Sequence, residues 1–242
     1  MGQLHFAPWF AGLGRQCVRA SFVVVMMFVA QLAHAGTASE QADACSKSSG
    51  DQAITACTWV IQSGQWTDTE LANAFYNRGN AYESQGQYQN AIQDYEKTIL
   101  LERSDLAGAI NNRGNAYNHL GDHQRAMQDY EEAIRLKSDF FAAFIDRGNA
   151  YVAVGQYQRG IEDYDQAIRL KPDFAAAFNN RGTAYASLGQ YERAIHDYDR
   201  AIQLKPEDAN SIFNRGQAKL KSGDTVSGNA DIARATAMGY KP

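Results

Sequence analysis

The sequence predicts an all-α solenoid of stacked antiparallel helix pairs, and three observations carry that prediction. A motif Arg-Gly-x-Ala-Tyr recurs at Arg78–Tyr82, Arg113–Tyr117, Arg147–Tyr151 and Arg181–Tyr185, and in weaker form at Arg215–Lys219, with spacings of 35, 34, 34 and 34 residues. Each copy holds two stretches whose apolar residues recur every three or four positions, the period of a helix face. Between the two stretches stands a glycine suited to the left-handed end of a helix. A fixed period of this length marks an array in which each unit is one supersecondary element and neighbours bury each other's apolar faces.

Residues 172–205 are the cleanest unit. Pro172 opens it, 174–187 form the first predicted helix and Leu188-Gly189-Gln190 the break. The second helix runs from Tyr191 to Leu204. Lys205-Pro206 ends it, because proline cannot continue a helix interior and disfavours helix in the residue before it. Small residues, Gly182, Ala194 and Ala201, are expected where helices approach closely, with Tyr185 and Tyr198 filling the space beside them. By this register the repeats lie near 71–104, 105–137, 138–171, 172–205 and 206–239, within an array spanning 71–242.

These positions resemble the tetratricopeptide repeat. Its pattern of bulky residue, Gly, Tyr, Gly, Tyr, Ala, aromatic, Ala and Pro is met by Phe178, Gly182, Tyr185, Gly189, Tyr191, Ala194, Tyr198, Ala201 and Pro206. The third copy departs at Gly160, where the family prefers Ala, and the fifth at Lys219 and Ile232. The resemblance implies a right-handed superhelix whose first helices line a concave groove. One departure runs through the array: Arg78, Arg113, Arg147, Arg181 and Arg215 stand where the family usually has Leu. An Asp recurs in each second helix, at Asp94, Asp129, Asp163, Asp197 and Asp231. Pairing of these Arg and Asp residues across helices is expected, the alternative being arginines that extend past packed stems into water.

Ahead of the array, residues 36–70 read as a degenerate helical hairpin that caps its first repeat. Ser48-Ser49-Gly50 forms the turn, and Trp59 and Trp66 cover the end. Cys45 and Cys57 are expected to form a disulfide, against the alternative of two buried thiols, because an even pair persists as a bridge in an exporting context. That context is residues 1–35. They contain no acidic residue, carry Arg15 and Arg19, and hold an apolar run, Ala20 to Ala33, ahead of Ala33-His34-Ala35. This reads as a signal peptide cleaved after Ala35, with export to the periplasm. The run is shorter than the roughly 20 residues that span a bilayer. An uncleaved anchor is the alternative, and only then is a membrane a partner. Cys17 precedes the run, so it is not a lipid attachment site.

Without residues 1–35 the chain has 21 basic and 27 acidic residues, a net charge of −6 and no long basic run, which argues against nucleic acid. No catalytic constellation is expected, nor a cofactor or metal: His119 and His123 are separated by the turn at Gly121-Asp122 and no third ligand accompanies them. What the array offers is a binding surface. The family register implies an inner row at Asn77, Asn112, Asp146, Asn180 and Asn214, and a second at Asn80, Asn115, Asn149, Thr183 and Gln217. Such a ladder offers paired donors and acceptors to the backbone of an extended peptide; the alternative is that it only solvates a polar face. Tyr76, Ile145 and Phe213 are expected as inner-face pockets for a partner's side chains. They fall, with Asn111 and Asn179, where acidic-tail-binding relatives have Lys, so no carboxylate clamp is expected. The function expected is a non-catalytic scaffold or adaptor for a protein or peptide partner. The alternative is a self-associating module, a homo-oligomer joined through the thinly shielded last repeat.

Overall fold

The computed structural model describes residues 37–101 and 106–241. The expected signal segment lies outside them. Twelve helices and no strands are found among the described residues. They are α1 (Ala38–Lys47), α2 (Gly50–Ser63), α3 (Asp68–Ser84), α4 (Tyr88–Leu101), α5 (Leu106–His119), α6 (His123–Leu136), α7 (Phe141–Ala153), α8 (Tyr157–Leu170), α9 (Ala175–Ser187), α10 (Tyr191–Leu204), α11 (Ala209–Ser222) and α12 (Thr225–Ala237). None is long and apolar enough to cross a membrane.

The helix ends follow from local chemistry. Thr37 and Thr67 each close a capping box, with Glu40 and Glu70 reaching back to the capping residue's own N–H. The turn inside each repeat needs a left-handed residue, and Gly86, Gly121, Gly155, Gly189 and Gly223 supply it with φ between 73° and 100°. The residue after each glycine then donates back six residues, as Gln190 N–H does to the Tyr185 carbonyl at 2.9 Å, so the helix end is satisfied by the backbone itself.

The two helices of a repeat approach closely because one side is bare. A Cβ on Gly79, Gly114, Gly148 or Gly182 would lie within 2.9 Å of the ring of Tyr95, Tyr130, Tyr164 or Tyr198. All four tyrosines are almost wholly buried. In the fifth repeat Ile232 takes the tyrosine's place and the second helix comes closer still: a Cβ on Gly216 would meet the Gly228 carbonyl at 2.9 Å. The family's preferred alanine is missing at Gly160 for a visible reason. Its Cβ would lie 2.7 Å from Val152 Cγ2, whereas beside Ala194 the matching residue is only Ala186.

Every one of the recurring Arg–Asp pairs forms, and within a repeat. Arg78–Asp94, Arg113–Asp129, Arg147–Asp163, Arg181–Asp197 and Arg215–Asp231 are all bidentate, with N–O distances from 2.6 to 2.9 Å. The carboxylates are buried, from 2% to 7% exposed, and each hydrogen bond raises the guanidinium's affinity for its proton. The third arginine nitrogen joins repeats in places. Arg181 Nη1 reaches Asp165, Arg215 Nη1 reaches Asp199, each at 2.6 Å, and Arg78 Nη1 reaches Thr58 on α2 at 2.9 Å.

The hairpin α1–α2 stacks on α3, and Cys45 and Cys57 are bridged. Trp59 and Trp66 pack over a small core of Cys45, Ala56, Cys57, Val60 and Ala74, as a cap requires. At the other end Tyr240 stacks on Phe213 with ring centroids 4.3 Å apart.

Candidate binding groove

Consecutive first helices touch: α3 with α5, α5 with α7, α7 with α9 and α9 with α11. Consecutive second helices do not. The first helices therefore lie on the inside of the curve, and α1 extends them by touching α3. This is the face on which the inner rows were expected.

The amides of those rows are bonded to one another from repeat to repeat. Asn112 Nδ2 donates to Asn80 Oδ1 at 3.0 Å and to the Tyr76 hydroxyl at 3.1 Å. Asn180 Nδ2 donates to Asn149 Oδ1 at 3.0 Å, and Asn214 Nδ2 to Asn179 Oδ1 at 3.1 Å. The second row is also tied to the core, because the buried tyrosines donate into it: Tyr95 to Asn80, Tyr130 to Asn115 and Tyr164 to Asn149, at 2.7 to 2.8 Å. Tyr198 meets Thr183 instead, at 3.2 Å. Burial drives these phenols to hold their protons more tightly, so they remain donors. Asp146 takes the carboxylate's part in the first row, accepting from Asn111 Nδ2 at 2.9 Å.

Three expected contact residues are placed differently. Ile145 is 7% exposed and packs with Phe144, Ile161 and Tyr164, so it is a core residue and not a pocket on the inner face. Its register position lies in the seam between consecutive first helices, where an apolar side chain is drawn into the core. Tyr76 leans on Tyr95, with centroids 6.0 Å apart, while its hydroxyl takes the Asn112 amide. Phe213 is half-buried beneath Tyr240. Asn77 lies elsewhere, at the N-terminal end. There it lines a cleft of about 150 Å³ with Ala42, Cys45, Val60, Trp66 and Asn73, where the cap meets the array.

Sequence reasoning passed over Glu83. It sits one turn after Asn80, with its carboxylate 2.6 Å from the Tyr95 hydroxyl, and burial raises its pKa. The matching residues are Asn118, Val152, Ala186 and Leu220, so its signal was a single acid in an otherwise uncharged register. The two histidines are occupied separately: His119 stacks on Tyr88 at 4.6 Å and His123 Nδ1 pairs with Asn118 Oδ1 at 2.7 Å. Among the described residues no group of three or more His, Cys, Asp or Glu is placed to hold a metal.

An all-helical repeat solenoid with a polar, internally braced inner face is a protein-interaction scaffold by class. Two sequence models of the tetratricopeptide repeat match it, one at residues 72–105 and 107–140 and the other at 145–209. Together they span more than half of the chain, which belongs to the tetratricopeptide-repeat family. Solved structures of similar fold include MamA from Desulfovibrio magneticus RS-1, with TM-score 0.63 and 21% identity over 69% of this chain and 94% of that one. A tetratricopeptide repeat protein from Parabacteroides merdae has TM-score 0.60 and 21% identity over 78% of this chain and 72% of its own. YrrB, described as a TPR protein with an unusual peptide-binding site, has TM-score 0.58 and 20% identity over 76% of this chain and 93% of its own. Identities this low speak for the fold alone. No curated protein matches the chain.

Proposed function

We propose that this protein is a non-catalytic adaptor of the cell envelope that holds an extended segment of a partner protein in its concave groove. The observation that carries the reading is the inter-repeat amide ladder, Asn112 to Asn80, Asn180 to Asn149 and Asn214 to Asn179. Each of these amides is half-buried and fixed by a neighbour, so its remaining donors and acceptors are held in place before a guest arrives. Preorganisation of this kind lowers the ordering cost of binding. A polypeptide backbone presents the matching alternation of N–H and C=O. YrrB's described peptide-binding site, on a similar fold, agrees with this use of the groove.

The envelope location rests on the signal-like segment 1–35 and on the Cys45–Cys57 bridge, which persists in an oxidising compartment. The N-terminal residue of the protein recovered from cells tests it: Gly36 fits export, and a retained N-terminus sinks it.

The groove is tested by pull-down from an envelope fraction, using the protein and a variant carrying Asn112→Ala, Asn180→Ala and Asn214→Ala. The variant's helicity and melting are checked first, because the ladder also joins repeats. A partner held by the first and lost by the folded second is expected. A partner held equally by both moves the site away from the groove.

A further inference from the structure

The amide ladder changes direction at its centre. Asn112, Asn180 and Asn214 give an N–H to the preceding repeat. The same position in the third repeat is Asp146, which has none to give. The bonds therefore reverse: Asn111 Nδ2 donates forward to Asp146 Oδ2 at 2.9 Å, and the Asn115 amide bonds the same carboxylate. Asn111 is 3% exposed, and once its Nδ2 faces Asp146 its Oδ1 has no hydrogen-bond partner. Two repeats on, the matching Asn179 Oδ1 accepts from Ser211 Oγ at 3.2 Å and from Asn214 Nδ2 at 3.1 Å. Here Ala143 stands in place of Ser211, so neither donor exists.

Asp146 is unlike the other buried acids as well. The recurring aspartates of the second helices each meet an arginine, but Asp146 forms no ion pair among the described residues. Burial raises its pKa, and the only influences that lower it are the two asparagine amides. Glu83, on the inner helix α3, is raised in turn by the charge of Asp146. An uncompensated carboxylate beside an orphaned amide oxygen asks for a group with positive charge and N–H donors only. Lysine and arginine side chains are such groups.

We propose that the groove binds an extended polypeptide carrying a lysine or arginine, whose cationic head bonds Asp146 and the Oδ1 of Asn111. This rests on the groove reading above and names the chemistry of the guest. The charge of −6 on residues 36–242 favours the approach of such a guest over a long range. The Asp in place of an amide is then a specificity device: it weakens the ladder locally and admits a cation there.

The test is fluorescence anisotropy with fluorescein-labelled peptides of alternating Lys and Ala, against the same peptides with Gln for Lys. The full chain is compared with Asp146→Asn, which restores an amide to the ladder, and with Glu207→Gln, which removes one exposed charge far from the groove. The Lys peptide is expected to bind the parent and to bind Asp146→Asn roughly tenfold or more weakly. Its affinity for Glu207→Gln stays unchanged, and Asp146→Asn melts no lower than the parent. Equal Lys-peptide affinity for the parent and Asp146→Asn, or equal loss in both variants, overturns the proposal, since bulk charge then explains the binding. A Gln peptide bound as tightly as the Lys peptide, and lost in the triple Asn→Ala variant, overturns the cationic guest while leaving the groove intact. Failure of the Lys peptide to bind the parent overturns the cationic guest too, and the envelope pull-down then decides the groove separately.

Discussion

Arg181 grips Asp197 through two parallel bonds, Nε to Oδ2 at 2.8 Å and Nη2 to Oδ1 at 2.7 Å, across the two helices of one repeat. Asp197 is 2% exposed, so this carboxylate is affordable only with its partner present. Asp197→Ala leaves a part-buried guanidinium with half its bonds and is expected to destabilise by about 3–5 kcal/mol. Asp165→Ala removes the same arginine's bond to the preceding repeat, but that carboxylate is 39% exposed, and about 0.2–1 kcal/mol is expected. Urea denaturation of both variants checks the order. Equal losses would mean that the inter-repeat bond matters as much as the intra-repeat one.

Gly160 and Val152 form a size-coupled pair. Gly160→Ala drives a Cβ to 2.7 Å from Val152 Cγ2, a crowding expected to cost about 1–3 kcal/mol. In a Val152→Ala background the clash is gone. The same change then gains helix propensity, up to about 1 kcal/mol. A double-mutant cycle by thermal melting should therefore show a coupling of about 0.5–3 kcal/mol. Additive effects would place Val152 elsewhere.

Acid should favour the centre of the groove. Burial raises the Asp146 pKa, so the folded protein keeps a proton that the unfolded chain has already released. The stability contributed by this group is fully present below the unfolded chain's pKa and is lost as pH rises through the folded one. Asp146→Asn removes that loss. The variant is expected to melt higher than the parent at neutral pH, and its stability should fall less as pH rises through the acid range. Parallel stability–pH curves for the two proteins would contradict this. Glu83, raised likewise by burial, keeps part of the slope in both.

The bridge between Cys45 and Cys57 closes a loop with a sequence separation of 12. Replacing both with serine is expected to lower stability by about 2–3 kcal/mol on the chain-entropy account. Hydrogen exchange should speed first in α1, with the later repeats little changed. A uniform loss of protection would show that the cap is folded as one unit with the whole array.

Much of this architecture is legible in the chain. The Arg-Gly-x-Ala-Tyr period set the register, and helix bounds such as Tyr191–Leu204 follow from glycine and proline on either side. The Arg–Asp pairing was also visible as two recurrences sixteen residues apart, as in Arg181 and Asp197. What periodicity does not convey is which way a residue at a seam turns. Tyr76, Asn111, Ile145, Asn179 and Phe213 share one register position, yet Asn111 and Ile145 are buried and the other three are half-exposed. Small differences in what the next helix offers, such as Ser211 against Ala143, decide it. The asparagine rows were read as open to a guest. Much of their capacity is in fact engaged across repeats, a partnership between residues more than thirty positions apart that no local pattern displays.

The third nitrogen of each arginine sets where this rod gives way. Linear arrays commonly fray from their ends. Here both ends are lashed down: Arg78 holds Thr58 in the disulfide-closed cap, and Arg181 and Arg215 hold Asp165 and Asp199 behind them. Arg113 and Arg147 have no such tie among the described residues. The slack therefore lies in mid-span, at the joints on either side of the second repeat. Under load or heat the molecule should hinge and open there first, like a chain with two loose links at its centre, and the later of those joints is the one that carries Asp146.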